Sequence, residues 1–236
     1  MATYLLVHGG WHGGWYWRRV TSILREAGHE VFTPTLTGLG ERAHLLSPEI
    51  DLDTHIRDIM GVLKYEDLHD LILVGHSYAG MIITAIAEQA PERLAHLVYL
   101  DAFIPKNGES LIDVIGPDFA ATFHEMVQGE GEGWRLPPLP LELLGISEEA
   151  DKLWMTPKLT DQPFKAFSQS VRLRDEAAAS RISRTFIYCN NPAIGPYDRF
   201  AEQARQEGWR YREIATGHIP MVTAPRQTAD LLLELA

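Results

Sequence analysis

The chain has 236 residues, of which 45% are hydrophobic and 22% charged, a composition that gives one α/β unit room for a sizeable core. Its formal charge of -11 excludes nucleic acid and anionic membrane surfaces as partners, because both require a basic face. No apolar run approaches the roughly 18 residues of a membrane span, no basic leader opens the chain, and the single cysteine, Cys189, has no partner for an internal disulfide. A cytoplasmic single domain over 1–236, monomeric or homodimeric, is the expectation.

In chain order, residues 3–7 read as a strand that breaks into His8-Gly9-Gly10-Trp11-His12-Gly13-Gly14-Trp15. Glycines so dense let the backbone approach a ligand, and an N–H of such a loop can serve an oxyanion if the loop lies beside a nucleophile. Neither Gly-x-Gly-x-x-Gly nor a lysine-bearing P-loop is present, so phosphate binding is disfavoured. His8 and His12 have a spacing that suits a metal on a helix, but the glycines make this a loop and no metal is expected. The tryptophans are read as packing, with Trp11 able to rim a pocket. Val20, Ile23, Leu24 and Ala27 recur at helical spacing before Gly28. A second strand over 29–33 leads, through a glycine-bearing loop, to a helix over 53–65 capped by Asp53 or Thr54.

Residues 71–80 read Leu-Ile-Leu-Val-Gly-His-Ser-Tyr-Ala-Gly and an apolar segment follows at once. This is strand, sharp turn and helix, with Ser77 at the tip. The pattern matches the Gly-x-Ser-x-Gly nucleophile elbow, with Ala79 in the last glycine's place and Gly80 one position later. The plain alternative is a serine that caps a helix. A fourth strand over 95–100 closes in Asp101-Ala102-Phe103-Ile104-Pro105, and strands alternating with helices point to a mostly parallel sheet of six strands covered on both faces.

Residues 106–180 break this rhythm with acidic, glycine and proline clusters, short helical stretches and many large apolar residues. So long an insertion with so much aromatic content is expected to be a helical cap over the strand ends that walls a ligand pocket. The candidate lining residues are Gly9, Trp11, Phe103, Phe119, Phe123, Trp134, Trp154 and Ile219. The regular pattern resumes with strands over 184–189 and 209–214, the loop bearing Gly217 and His218, and a last helix over 225–235.

A serine nucleophile needs a base, a group that orients the base, and donors for the oxyanion. His218, at a strand's C-terminal end like Ser77, is the candidate base. The order serine, acid, histidine is the one expected of α/β-hydrolases. Three sources of the orienting group stay open: Asp101 at the end of the fourth strand, Asp198 at the start of a later helix, and an asparagine, Asn190 or Asn191.

Val-His-Gly-Gly at 7–10, Trp-His-Gly-Gly-Trp at 11–15, Ala-Gly-His at 27–29, Gly-His-Ser at 75–77 and Gly-His at 217–218 give the chain a resemblance to the α/β-hydrolase superfamily. Within it, the chain is similar to the small esterases and hydroxynitrile lyases that include plant methyl-ester esterases. The resemblance implies oxyanion donors at the backbone N–H groups of Gly10 and Tyr78, and no cofactor. Its relatives usually carry the acid as an aspartate after the penultimate strand, where this chain has asparagines; some lipases supply it from the place of Asp101. The lyases of the family look to a threonine and a lysine where this chain has Gly9 and Ile219, so the resemblance favours hydrolysis of a small-molecule carboxylic ester by a serine esterase. The alternatives are a hydroxynitrile lyase or another carbon-carbon or lactone-cleaving homologue, and a non-catalytic small-molecule receptor.

Overall fold

The structure, a computed structural model, describes residues 1–175, 179 and 181–236. Six strands, β1 (Thr3–Val7), β2 (Glu30–Phe32), β3 (Leu71–His76), β4 (Leu94–Leu100), β7 (Ser183–Cys189) and β8 (Arg210–Ile214), form one sheet in the order β2-β1-β3-β4-β7-β8. Every pairing in it is parallel. A parallel sheet must be covered on both faces, and the side chains of its central strands divide accordingly. Leu5, Val7, Leu71 and Leu73 point into one core, and Tyr4, Leu6, Ile72 and Val74 into the other. The first core is closed by α2 (Leu52–Tyr65), α3 (Ala79–Gln89) and α8 (Tyr197–Gln206), the second by α1 (Arg18–Glu26), α9 (Pro220–Thr223) and α10 (Pro225–Leu233).

Local chemistry sets the boundaries. Helix α1 ends at Gly28, whose φ of +87° is open to glycine at little cost. The cap of α2 is Asp51, not Asp53 or Thr54: its carboxylate accepts the Thr54 N–H while the Thr54 hydroxyl faces the Asp51 N–H, a reciprocal box that starts the helix one residue earlier. At the elbow, a methyl group on Gly75 would lie 2.9 Å from the Ala79 carbonyl oxygen, and one on Gly80 only 2.0 Å from that of Phe103. Gly80 is therefore fixed by the passage of α3 against the chain leaving β4, while Ala79 fills the position where the motif usually has glycine.

Between β4 and β7 lie α4 (Leu111–Val114), α5 (Pro117–Gln128), α6 (Glu149–Met155) and α7 (Lys165–Ser168), together with β5 (Arg135–Leu136) paired antiparallel to β6 (Gln162–Pro163). The insertion is thus not wholly helical, and residues 176–178 and 180 at the expected end of the cap lie outside the described residues. The glycine-rich loop is stitched to it through Trp11. The Trp11 indole N–H donates to the Leu136 carbonyl (3.0 Å), its backbone N–H to Gln162 Oε1 (3.2 Å), and its carbonyl accepts from Thr160 N (3.0 Å). No helix among the described residues is long and apolar enough to cross a membrane.

Candidate active site

Four strand ends meet at one edge of the sheet. Ser77 follows β3 with a φ of +56°, and Asp101 follows β4 with a φ of +44°, conformations that cost a non-glycine residue about 1–3 kcal/mol each. Backbone bonds hold both. Ser77 N donates to Leu100 O (3.3 Å), the Ser77 carbonyl accepts from Gly80 N and Phe103 N, and Asp101 N donates to Ile187 O (2.8 Å). Strain at the ends of two adjacent strands directs both side chains above the sheet.

His218 follows β8. Its Nδ1–H donates to Asp101 Oδ2 at 2.7 Å, and the other carboxylate oxygen accepts the Cys189 N–H at 3.1 Å. Asp101 is fully buried. Burial pushes its carboxyl up from the ordinary value, and the hydrogen bond and charge of His218 and the Cys189 N–H oppose this. Asp198 is exposed and turns back on the Arg199 N–H, while the Asn190 side chain binds Glu213. Of the open sources, only Asp101 touches the imidazole. Burial and the Asp101 charge push the Cys189 thiol up, so it stays protonated and inert.

The loop after β1 lies against the elbow, where a methyl on Gly9 would come within 2.9 Å of Ser77 Cβ. Gly9 N donates to Tyr16 Oη (2.9 Å) and Trp11 N is bound to Gln162; between them, Gly10 N has no acceptor among the described residues. The Tyr78 backbone N–H is likewise without an acceptor there. Two backbone donors beside a serine hydroxyl can hold a developing oxyanion.

A cavity of about 290 Å³ opens on Ser77, His218, Gly10 and Tyr78. Trp11, Phe103, Phe119 and Phe123 line it, as the sequence suggests; Leu111, Ile115, Thr122, Leu139, Leu143, Leu144, Phe167, Ile194 and Tyr197 line it too. No Asp, Glu, Lys or Arg is among the lining residues, which suits an uncharged ligand. Four expected lining residues are elsewhere. Gly9 is behind Ser77, bound to Tyr16. Trp134 lies under the Arg135 guanidinium and its carbonyl accepts from Phe164 N. Trp154 packs edge-on against Trp15 with Arg19 and Lys158 over its faces, and Ile219 is buried in the core that α9 closes.

Beneath the site lies a layer of neutral histidines. His8 Nδ1–H donates to Gly9 O and its Nε2 accepts the Leu36 N–H. His55 Nε2–H donates to Thr37 O and its Nδ1 accepts from Tyr78 Oη. His76 Nε2–H donates to the His218 carbonyl at 2.6 Å and its Nδ1 accepts from Tyr16 Oη, so the backbone at His218 is tied through two side chains to Gly9. Because each of these three rings pairs one donor with one acceptor, a second proton on any of them would have no partner. Both nitrogens of His8 are thereby taken, and among the described residues no cluster of three or more His, Cys, Asp or Glu could hold a metal. Burial lowers His8 to about 3, and His12 and His55 to about 4, from 6.5.

That layer predicts acid lability. Above pH 6.5 these rings are neutral both folded and unfolded; below it the unfolded chain binds protons that the folded chain refuses, so stability falls with pH until the folded values are reached. At pH 5 the loss is about 2 kcal/mol per ring, about 6 kcal/mol for the three, most of a typical domain's stability. The raised Asp101 carboxyl opposes the trend with a single group. Urea midpoints measured between pH 8 and pH 5 are expected to fall steeply below 6.5; a flat profile would show that the rings are protonated in the fold.

This is the fold of an α/β-hydrolase. The chain belongs to the alpha/beta hydrolase family, whose sequence model matches residues 4–231. It is 37% identical to the carbendazim hydrolyzing esterase of Nocardioides sp., with all of both chains covered. It is 30% identical to methyl jasmonate esterase 1 of Vitis vinifera, over 98% of this chain and 95% of that one. Among solved structures, an extracellular alpha/beta-hydrolase from a Paenibacillus species, described as sharing structural and functional homology with tobacco salicylic acid binding protein 2, superposes with a TM-score of 0.87 at 25% identity, covering 100% and 99% of the two chains.

Sequence reasoning did not single out Tyr197. It reads as the first residue of an amphipathic helix, yet its hydroxyl lies 3.2 Å from Ser77 Oγ. The available signal was its position, a tyrosine where a helix starts just beyond the C-terminal end of a sheet strand.

Proposed function

We propose that this esterase of the α/β-hydrolase type cleaves small to medium uncharged carboxylic esters through an acyl-enzyme on Ser77. The observation that carries the reading is the buried His218–Asp101 pair at 2.7 Å, opening on the same cavity as Ser77. Ser77 Oγ attacks the ester carbonyl as its proton passes to His218 Nε2, the Gly10 and Tyr78 N–H groups hold the oxyanion, and the imidazolium returns the proton to the leaving alcohol. Water, activated by the same histidine, then releases the acid. Asp101 fixes the tautomer that leaves Nε2 free to act as base. Residues 106–180 serve as a cap that excludes water and shapes an apolar acyl or alkoxy site within a single domain. Carbendazim and methyl jasmonate, after which two relatives are called, are the first substrates to try. A cytoplasmic location and a monomer or homodimer complete the reading.

The test is a panel of neutral methyl and p-nitrophenyl esters with matched carboxylated analogues, followed by alcohol and acid release and by intact-protein mass. Equimolar acid and alcohol, a strong preference for the neutral member of each pair, and a transient acyl mass on the Ser77 peptide are expected. Cleavage of a carbon-carbon bond, or turnover with no acyl mass on trapping, would sink the mechanism.

A further inference from the structure

Tyr197 opens α8 and is buried between Phe103 (ring centroids 5.0 Å apart) and His218 (4.7 Å, planes 11° from parallel). Its hydroxyl is 3.2 Å from Ser77 Oγ and 3.4 Å from His218 Nε2. These two contacts differ in kind. The Nε2 lone pair lies in the imidazole plane, and a ring almost parallel to that plane places its hydroxyl over the face, where 3.4 Å is a stacking distance. A proton relay from serine through the phenol to the imidazole is therefore poorly aligned. Of the two hydrogen-bond partners of the phenol, Ser77 Oγ is the nearer and the one whose lone pairs the ring geometry does not turn away. Burial and the Asp101 charge raise the phenol well above its ordinary value, so the group is a donor at every working pH.

We infer that the Tyr197 hydroxyl is a further catalytic group: it donates a hydrogen bond to Ser77 Oγ, supporting the negative charge that this oxygen carries as it attacks and again as it is expelled from the acyl-enzyme. The inference rests on Ser77 being the nucleophile. In the attack, the Oγ–C bond forms while the serine proton passes to His218 Nε2. Tyr197 keeps its own proton throughout, and in deacylation the C–Oγ bond breaks as His218 returns a proton to Oγ. Because Oγ accepts from Tyr197, its own O–H is turned away from the phenol and left to find the imidazole. The ring has a separate task, since its stacking on the imidazole, together with the tilted His76 ring 4.6 Å away, holds the imidazole plane.

Tyr197→Phe separates the two tasks, because it keeps the ring and removes only the oxygen. A hydrogen bond to a charged group lost from the transition state costs on the order of tenfold to a hundredfold in rate. Both kcat/KM for a neutral ester and the rate of inactivation by a small dialkyl fluorophosphate are expected to fall by about that factor, with the melting temperature unchanged. The second readout is decisive. Fluorophosphate attack forms an Oγ–P bond and expels fluoride, which needs no proton from the enzyme, so it reports on Oγ alone. If ester turnover falls but inactivation keeps its wild-type rate, Tyr197 acts on the leaving group or the pocket and the inference is overturned. If both rates are unchanged, the hydroxyl has no catalytic part. Tyr197→Leu, which removes the ring as well, is expected to lose more than Tyr197→Phe in both assays; equal losses would take the stacking task away from the ring. A Ser77→Ala protein that still turns over ester would instead refute the underlying reading, independently of how the Tyr197 variants behave.

Discussion

Ser77→Ala is expected to lower kcat on neutral esters on the order of a millionfold while leaving the fold intact. The substitution removes one oxygen from a residue that is 9% exposed and keeps the Cβ that lies against Gly9. Alanine meets the same backbone strain at the turn as serine does, and the bonds from Leu100, Gly80 and Phe103 that hold the turn are all to backbone atoms. Stability therefore changes little. Binding and the two free N–H groups survive, which leaves a residual rate above that in water. Steady-state hydrolysis of p-nitrophenyl acetate, with melting temperatures for both proteins, checks this. Wild-type turnover in the variant would remove Ser77 from the mechanism.

The second large effect belongs to Asp101, the proposed acid. Asp101→Asn is expected to cost about ten-thousandfold in kcat, and Asp198→Asn nothing. An asparagine at 101 can still accept the Cys189 N–H with its oxygen, but its NH2 then faces His218 Nδ1. Two donors cannot share that contact, so the imidazole moves its proton to Nε2 and loses the lone pair that takes the serine proton. Asp198 has no such leverage, since it sits at the surface against the Arg199 N–H. Rates for the two variants, measured together at pH 8, decide the assignment. An inactive Asp198→Asn beside an active Asp101→Asn would reverse it.

The sheet was readable from the chain because strands buried on both faces must be apolar throughout, and 3–7, 71–76 and 94–100 are nearly so. The elbow was readable for a different reason: a serine in left-handed geometry between a strand and a helix needs small residues at close contacts, and Gly75, Ala79 and Gly80 leave that mark. The acid stayed open because 117 positions separate Asp101 from His218, and only the order of strands in the sheet brings their ends together. The pocket was half legible. An aromatic residue in the insertion is equally suited to lining a cavity or to clamping the insertion down. The pairing of 135–136 with 162–163, which turns Trp134 away from the cavity, rests on four residues with no strand-like pattern.

The carboxylate that grips His218 comes from the end of β4, and this leaves the residues after β7 without that duty. Ile194 and Pro196 face the cavity from a segment whose carboxylate and amide side chains do not touch the imidazole. Selectivity can then drift at Ile194 without moving the carboxylate that orients His218, whereas Pro196 directly precedes Tyr197, whose ring stacks on that imidazole. In a layout with acid and pocket wall on one loop, each change of taste would put the carboxylate at risk; here the carboxylate, though not Tyr197, is inherited separately from that wall.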